Sequence, residues 1–326
     1  MEPVLQIKDL SVAFPNFSRQ VTVVRQCSLE VGEGEILGLV GESGSGKTMT
    51  AMSCLGLVPK PSHTSGSVKV AGQEIVGASK KTLNQLRGGT AGMIFQNPMT
   101  ALNPFISIGD QFKDAIQSSS EDSAKAAREK ALEVLRSVYI SNPEQTLNKY
   151  PHQLSGGQLQ RIMIAMVIAC KPQLLIADEP TTALDVTIQA QVLLLIRELA
   201  LDNQLAVLFI THDLSVVATI CDRVAVMYAG TIVETGDVDE VFENPAHPYT
   251  RKLLQTVPAI GMNKSRLEFI PGQVPDMSNL PTGCSFQSRC ESVKDKCRKQ
   301  SPTMIQVGSS HQAVCHFPIN QEEGSQ

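Results

Sequence analysis

A glycine-rich run at residues 41–48, with the sequence GESGSGKT, directly follows an apolar segment at residues 36–40. It fits the phosphate-loop pattern, in which two glycines five positions apart precede Lys and Ser or Thr between a strand and a helix. Glycines let the backbone wrap closely around a phosphate, so that several N–H groups and the positive end of the following helix point at the anion. The lysine can reach the terminal phosphates, and the threonine hydroxyl can ligate Mg²⁺. The run therefore predicts a nucleoside triphosphate site made by Gly41, Glu42, Ser43, Gly44, Ser45, Gly46, Lys47 and Thr48.

A second apolar segment, residues 174–177, ends in two adjacent carboxylates, Asp178 and Glu179. Such a run is typical of a buried parallel strand. Because ligands bind at the carboxyl ends of the strands in such sheets, we expect both acids to lie beside the bound phosphates. Asp178 would hold Mg²⁺ through its water shell, and Glu179 would orient and polarise the attacking water. Phosphoryl transfer depends mainly on such positioning and charge stabilisation, so the pair predicts hydrolysis.

A serine and two glycines open a further predicted helix, in the run Ser155, Gly156, Gly157 and Gln158. The exposed N–H groups of such a helix start form an anion site that has no lysine of its own. Between a phosphate loop and a double-acid strand, residues 154–158 (LSGGQ) resemble the signature motif of ATP-binding cassette (ABC) ATPases. In that family this helix caps the γ-phosphate bound to the other subunit. The resemblance therefore implies a site that closes only when two subunits meet.

Other landmarks of the ABC family can be assigned residue by residue. Gln96 matches the glutamine-loop residue that contacts the metal and the attacking water and senses the membrane partner. Residues 183–185 resemble the dimer-contact loop, with Thr182 where serine is usual, and His212 matches the switch histidine that contacts the γ-phosphate. Phe14 falls where the family places an aromatic ring against adenine. The resemblance implies catalytic roles for Glu179, His212 and Gln96, and Mg²⁺ contacts from Thr48, Gln96 and Asp178.

Composition limits the classes of partner. The chain has 326 residues and a net charge of −4, without a basic block, so we expect no nucleic-acid partner. Its longest uncharged apolar stretches fall short of the roughly 20 residues that span a bilayer, and its start lacks the pattern of a signal peptide. We therefore expect a soluble cytosolic polypeptide, and any membrane-spanning part of a transporter would be another protein.

Patterning along the chain predicts an α/β fold of the P-loop NTPase type, with a mixed-sheet core, an inserted α-helical subdomain and a small carboxy-terminal cysteine-rich extension. Residues 4–40 alternate β-like runs with glycine turns, which is typical of an antiparallel β subdomain. Later strands and helices alternate, which predicts a parallel sheet with right-handed crossovers. We assign residues 1–97 and 160–242 to a RecA-like ATP-binding core with an antiparallel β subdomain, 98–159 to the helical signature subdomain, and 243–326 to a loop-rich carboxy-terminal domain.

Four of the eight cysteines lie in this last segment: Cys284, Cys290, Cys297 and Cys315. A reducing cytosol disfavours disulfides, so we expect a metal site. The gaps are wider than in most zinc sites, and four thiolates suit an iron–sulfur cluster at least as well. The segment also resembles the cysteine domain of the oligopeptide/dipeptide/nickel branch of ABC ATPases, which implies a 4Fe–4S cluster, with Zn²⁺ as the alternative. His311 or His316 could substitute as a ligand.

Residues 93–104 and 176–189 match this branch closely, and its dipeptide-type D component better than its F component. The resemblance implies the ATP-hydrolysing subunit of a bacterial ABC importer for dipeptides or oligopeptides, at the cytoplasmic face of the inner membrane. Its implied partners are two transmembrane permease subunits, a second ABC ATPase and an extracytoplasmic solute-binding protein. A nickel or metal-chelate importer ATPase is the first alternative, and a non-transport ABC ATPase is the second.

Overall fold

The computed structural model describes residues 2–16, 20–182, 184–256 and 270–319. In these residues one sheet has four strands in the order β2-β1-β4-β5, and a second has eight in the order β11-β12-β10-β9-β3-β8-β7-β6. The strands are β1 (Leu5–Pro15), β2 (Gln20–Val31), β3 (Ile36–Val40), β4 (His63–Val70), β5 (Gln73–Glu74), β6 (Ala91–Ile94), β7 (Leu174–Asp178), β8 (Ala206–Thr211), β9 (Arg223–Tyr228), β10 (Thr231–Asp237), β11 (Met304–Gln306) and β12 (Gln312–Val314).

Helices connect and cover these strands. They are α1 (Lys47–Cys54), α2 (Lys80–Gln85), α3 (Pro98–Ala101), α4 (Ile108–Ser119), α5 (Ala124–Ser137), α6 (Pro143–Thr146), α7 (Gly156–Ala169), α8 (Val186–Asp202), α9 (Leu214–Ile220), α10 (Val238–Glu243), α11 (Pro248–Gln255) and α12 (Asp295–Lys299). A π-helical turn at Leu86–Thr90 follows α2, and a 3₁₀ turn at Pro151–Gln153 precedes α7.

The centre of the larger sheet is parallel and buried on both faces. Strands β9, β3, β8, β7 and β6 run parallel to one another, and every residue of β3, β7 and β8 is buried. Alternate residues of β3 enter different core clusters: Val40 lies in the cluster shared with the helical subdomain, and Leu39 in the cluster shared with the antiparallel sheet. A strand covered on both faces needs no polar face, which explains the continuous apolar runs in the sequence.

Strand register aligns the carboxyl ends of the central strands. Val40 is paired with Thr211, and Asp178 with Ile210. The segments that follow β3, β7 and β8 therefore leave the sheet at one edge, as parallel strands require. The phosphate loop, Glu179 and His212 are the first residues of those segments.

Helices α3 to α6 form the inserted subdomain, in which α3, α4 and α5 pack on α7 and α6 packs on α5. Serine side chains cap α4 and α5, since Ser107 accepts the N–H of Asp110 and Ser123 accepts that of Ala126. Phe112 is fully buried in the cluster that continues into the main core. A continuous apolar core thus fixes the subdomain to the edge of the sheet where the phosphate loop lies.

The carboxy-terminal segment adds two short strands to the core sheet, although most of residues 270–319 are irregular. Strand β12 pairs antiparallel with β10, placing Ala313 opposite Glu234, and β11 continues the core sheet beyond it. Each of these two strands has three residues, which is too short for a periodic pattern to be visible in the sequence. Phe286 is buried against the rings of Tyr228 and Tyr249, at 5.2 and 5.4 Å between centroids, and ties the segment to the end of β9.

Candidate active site

The phosphate loop needs glycine at the point where it enters α1. Gly46 caps this helix with φ of 107°, a conformation that favours glycine, and a Cβ there would lie 2.7 Å from the carbonyl oxygen of Val23. A Cβ on Gly41 would overlap the carbonyl of Met227. Close backbone approach therefore requires glycine at both positions, and the first N–H groups of α1 have no acceptor within the helix.

Lys47 folds back over this loop. Its ammonium group donates hydrogen bonds to the carbonyl oxygens of Gly41 and Glu42, at 2.7 and 3.0 Å, and the residue is 6% exposed. Burial lowers its pKa, while the nearby carboxyl groups of Glu179 and Asp178 oppose that shift. The buried hydroxyl of Ser45 in the same loop has no hydrogen-bond partner. An orphaned hydroxyl beside a lysine in a glycine cradle fits a bound phosphate, which supplies acceptor oxygens.

The donors suited to Mg²⁺ lie beside the loop. Thr48 donates a hydrogen bond of 3.4 Å to Asp178, the last residue of β7, and burial raises the pKa of the Asp178 carboxyl. Hydroxyl and carboxylate oxygens are the ligands that Mg²⁺ prefers, and a cation there would stabilise the ionised carboxylate. The pair fits the magnesium ion that accompanies a nucleoside triphosphate.

Three side chains from different segments converge on Glu179. Its carboxylate accepts hydrogen bonds of 2.9 Å from Gln96 and from Thr182, and the Nδ1 atom of His212 lies 3.1 Å from its other oxygen. Burial raises the pKa of this carboxyl, but the hydrogen bonds from His212 and Thr182 outweigh it and hold the pKa below its usual value. Glu179 also adopts a left-handed φ of 47°, which is uncommon outside glycine. The site thus holds an ionised, oriented carboxylate next to the phosphate loop.

The predicted signature residues lie at the start of α7. Ser155 accepts the N–H of Gln158 at 3.3 Å, and the Gln158 side chain accepts the N–H of Ser155 at 3.1 Å, which is a capping box. Ser155 and Gly156 are exposed. A Cβ on Gly157 would lie 2.8 Å from Ile188, so this glycine permits close packing against α8. The capping bonds stay within the turn, and its outer surface faces solvent.

Two predicted site residues lie apart from this convergence. Phe14 is half-buried near the end of β1 and packs on the apolar core beneath the antiparallel sheet. The carboxylate of Glu42 points to the carboxy-terminal segment, where it meets Arg289. Of the predicted dimer-contact loop, Ala183 lies outside the described residues, Leu184 is half-buried, and Asp185 caps α8 by accepting the N–H of Ile188.

Sequence reasoning missed Arg289 and Tyr249. Arg289 and Tyr249 both belong to the carboxy-terminal segment. The Tyr249 hydroxyl oxygen accepts the backbone N–H of Glu42 at 2.9 Å. The sequence around each residue does not reveal this role, because each acts through a contact with a loop that is distant in the chain.

The expectation of a 4Fe–4S cluster on Cys284, Cys290, Cys297 and Cys315 is wrong. All four cysteines border one cavity, but its volume of about 20 Å³ is room for about one water molecule. Across residues 2–16, 20–182, 184–256 and 270–319, no three His, Cys, Asp or Glu side chains are grouped as a metal ion requires. The zinc alternative therefore has no support either. The cysteines are free of disulfides and act as small packing residues.

Comparisons with known proteins match both parts of this structure. The ABC transporter family matches residues 24–182, and the oligopeptide/dipeptide transporter C-terminal region matches residues 233–297. Among solved structures, a dimeric ATP-binding cassette in a post-hydrolysis state with ADP and phosphate has a TM-score of 0.64 and 26% identity, covering 72% of this chain and 98% of that one. The predicted P-loop fold with a mixed sheet and added helices is confirmed.

Relatives of similar length indicate the branch of the ABC family to which the chain belongs. The chain is 45% identical to the probable D,D-dipeptide transport ATP-binding protein DdpD of Escherichia coli, over 97% of both chains. It is 44% identical to the dipeptide transport ATP-binding protein DppD of Haemophilus influenzae, over 98% of this chain and 96% of that one. It is also 44% identical to the oligopeptide transport ATP-binding protein OppD of Bacillus subtilis, over 94% of this chain and 87% of that one. The chain has a phosphate loop and a carboxylate, Glu179, on which three side chains converge. Together with these matches, this shows that it belongs to the ATP-hydrolysing subunits of ABC transporters, in the oligopeptide/dipeptide branch.

Proposed function

We propose that this chain hydrolyses ATP at the Glu179 site to drive the import of dipeptides or oligopeptides. Lys47 and the N–H groups of the phosphate loop bind the phosphates. Thr48, Asp178 and Gln96 would hold Mg²⁺, which would supply positive charge to the transferred phosphoryl group. Glu179 accepts a hydrogen bond from the attacking water and orients it. His212 contacts the γ-phosphate and steadies the carboxylate. The convergence of Gln96, Thr182 and His212 on Glu179 is the observation that carries these roles.

We infer that a second ATPase subunit completes the site. The start of α7 exposes Ser155 and Gly156, and its capping bonds remain within the turn. Such a helix start is suited to the γ-phosphate of a nucleotide on another cassette, because its free N–H groups and dipole favour an anion. The similar ATP-binding cassette is dimeric with ADP and phosphate bound, which supports the pairing of two cassettes. Phe14 would contact the adenine ring from the edge of β1.

The peptide substrate class rests on the relatives and on the carboxy-terminal family match. The relatives are named for dipeptide and oligopeptide transport, and residues 233–297 match a region of transporters for these solutes. An ABC importer of peptides implies two membrane permease subunits and an extracytoplasmic solute-binding protein as partners. Among the described residues, no helix is both long and apolar enough to cross a bilayer. We therefore place the chain at the cytoplasmic face of the inner membrane, held there by its permease partners.

The segment after Gln96 is our candidate for the permease contact. Phe105 is 89% exposed and Met99 50% exposed, on a stretch that begins at Asn97 and leads into α4. Exposed apolar side chains of this size are suited to burial against a partner helix. Gln96 adjoins this stretch and bonds Glu179, so a movement of the permease can reach the nucleotide site through two residues.

Gene replacement in the source bacterium tests this function. Deleting the gene should abolish growth on dipeptides as the sole source of a required amino acid, while growth on the free amino acid remains normal. Wild-type protein should restore growth, and Glu179→Gln should not. Glu133→Gln, at an exposed position on α5, is the matched control and should restore it. A deletion strain that grows normally on dipeptides and oligopeptides but fails to take up nickel would refute the peptide assignment.

A further inference from the structure

A buried arginine of the carboxy-terminal segment binds an acidic residue of the phosphate loop. The two terminal nitrogens of Arg289 donate to the two carboxylate oxygens of Glu42, at 2.6 and 2.9 Å. The Arg289 side chain is 2% exposed, and that of Glu42 is 27% exposed. This is the forked, two-point geometry that gives arginine–carboxylate pairs their strength and direction.

The arginine is itself held in place from behind. Its Nε atom donates to the carbonyl oxygen of Pro271 at 3.0 Å, and its guanidinium lies 5.8 Å from the ring centre of Tyr228 and 6.0 Å from that of Phe286. A cation packed on aromatic rings and bonded on three sides has little freedom to follow a moving partner. Arg289 therefore acts as a fixed point for Glu42.

The carboxy-terminal segment also holds the backbone of this residue. The N–H of Glu42 donates to the Tyr249 hydroxyl at 2.9 Å, while its carbonyl oxygen accepts a hydrogen bond from Lys47. Glu42 is thus bonded to the carboxy-terminal segment through its side chain and its N–H. Its carbonyl oxygen is bonded to Lys47, the lysine that faces the phosphates. Movement at Glu42 would displace Lys47.

Charge makes this contact important for ATP. Glu42 lies within the loop that must receive the phosphates of ATP, and its negative charge acts on the Lys47 ammonium. An unpaired carboxylate there would repel the nucleotide, and because the Glu42 side chain is 27% exposed, added salt screens part of that repulsion. We propose that Arg289 is a positioning residue for ATP binding: it neutralises Glu42 and fixes its carboxylate on the carboxy-terminal segment, so that this segment sets the nucleotide affinity of the phosphate loop.

Titration of the full-length chain with a fluorescent ATP analogue tests the proposal. Arg289→Gln should weaken binding about tenfold at low salt, and the deficit should shrink in high salt because exposure of the Glu42 charge causes it. In a chain that already carries Glu42→Gln, the same Arg289→Gln change should alter the affinity less than about twofold. A purely structural role for Arg289 would give the same loss in both backgrounds and no salt dependence.

Two further variants complete the test. Arg298→Gln removes an exposed arginine of α12 and should leave the affinity unchanged. Arg289→Lys keeps the positive charge without the fork and should lose about threefold. If Arg289→Gln does not fold, as judged by circular dichroism, Arg289→Lys in the two Glu42 backgrounds provides the same comparison. Equal affinity of wild type and the folded Arg289 variant would overturn the proposal, and so would an equal loss with and without Glu42→Gln.

Discussion

Glu179 is held as an anion that can act on water. Its backbone N–H donates to Ile210 across the sheet at 2.9 Å, and its side chain accepts hydrogen bonds from Gln96, Thr182 and His212. Those bonds keep its pKa below the usual value despite burial, so the carboxylate remains ionised at neutral pH. A hydrogen-bond acceptor at this position can orient water, whereas a neutral amide of the same shape cannot take up its proton.

We therefore expect Glu179→Gln to slow ATP hydrolysis by about 10²- to 10³-fold while ATP affinity stays within about threefold of wild type. The amide preserves the size of the side chain and removes its charge. Single-turnover hydrolysis and nucleotide titration measure the two quantities. The exposed Glu133→Gln serves as the control, with both values unchanged. Hydrolysis at the wild-type rate in Glu179→Gln would show that another group orients the water.

The contacts that could be predicted from the sequence are those between residues at the carboxyl ends of neighbouring parallel strands. Asp178, Glu179 and His212 could be assigned to one site because each follows an apolar run, and carboxyl ends of parallel strands share an edge. The pairing of Arg289 with Glu42 spans 247 positions and depends on how the carboxy-terminal segment packs. No local pattern encodes such packing, so it was not predicted, and neither was the direction of the Glu42 side chain.

Helix α11 begins at a buried histidine that links it to the core sheet. The Nδ1 atom of His247 accepts the backbone N–H of Tyr249 at 3.0 Å, and the backbone N–H of His247 donates to the buried carboxylate of Glu234 at 2.9 Å. Burial lowers the pKa of His247 to about 4, although Glu234 opposes the shift. The folded chain therefore keeps this ring neutral well below the pH at which an unfolded chain protonates it.

This difference predicts a loss of stability in mild acid. Between about pH 6.5 and pH 4 the unfolded state binds one more proton at His247, so the free energy of unfolding falls as pH falls through that window. From pH 7 to pH 5 the share of this residue is about 2 kcal/mol. His247→Asn keeps a helix-capping acceptor without titration, so its loss over the same range, followed by urea unfolding, should be smaller by about that amount. Identical pH profiles for the two proteins would rule out this role.

The exposed stretch before α4 gives a prediction about coupling. Phe105→Glu should reduce peptide transport by about tenfold or more, because a charge there opposes burial against a permease helix. Basal ATP hydrolysis of the isolated chain should remain within about twofold, since the Phe105 side chain is 89% exposed. Leu201→Glu, at a 63% exposed apolar position near the end of α8, is the control and should transport normally. Normal transport in Phe105→Glu would exclude this surface from the permease contact.

Some strands and helices could be predicted from the hydrophobic pattern of the sequence, and others could not. The five-residue strands β3 and β7 stand out as apolar runs bounded by glycine or acids, and α5 shows helical spacing of its buried residues. The three-residue strands β11 and β12 carry no such signal. Cysteine spacing suggested a metal site, but spacing does not reveal whether thiols surround an ion-sized space or fill a small packed one.

Across the whole molecule, the exposed start of α7 predicts an ATP-dependent dimer. Glu179→Gln with bound ATP should associate with a second cassette, its native partner or another copy of itself, because hydrolysis no longer releases the interface. Adding Ser155→Arg should abolish this association by blocking the helix start. Ser123→Arg, which alters the equivalent cap of α5, is the matched control and should leave the dimer intact. Light scattering measures the mass, and monomers in every ATP-bound protein would count against a shared site.

ATP-driven uptake by the reconstituted transporter measures the proposed function of this chain itself. Proteoliposomes that contain this chain, its partner ATPase and the permease subunits, with solute-binding protein outside and ATP inside, should accumulate radiolabelled dipeptide. Accumulation should stop without ATP, and Glu179→Gln should reduce it at least about 100-fold, while Glu133→Gln leaves it unchanged. Dipeptide uptake that persists with Glu179→Gln, or that proceeds without ATP, would contradict the account.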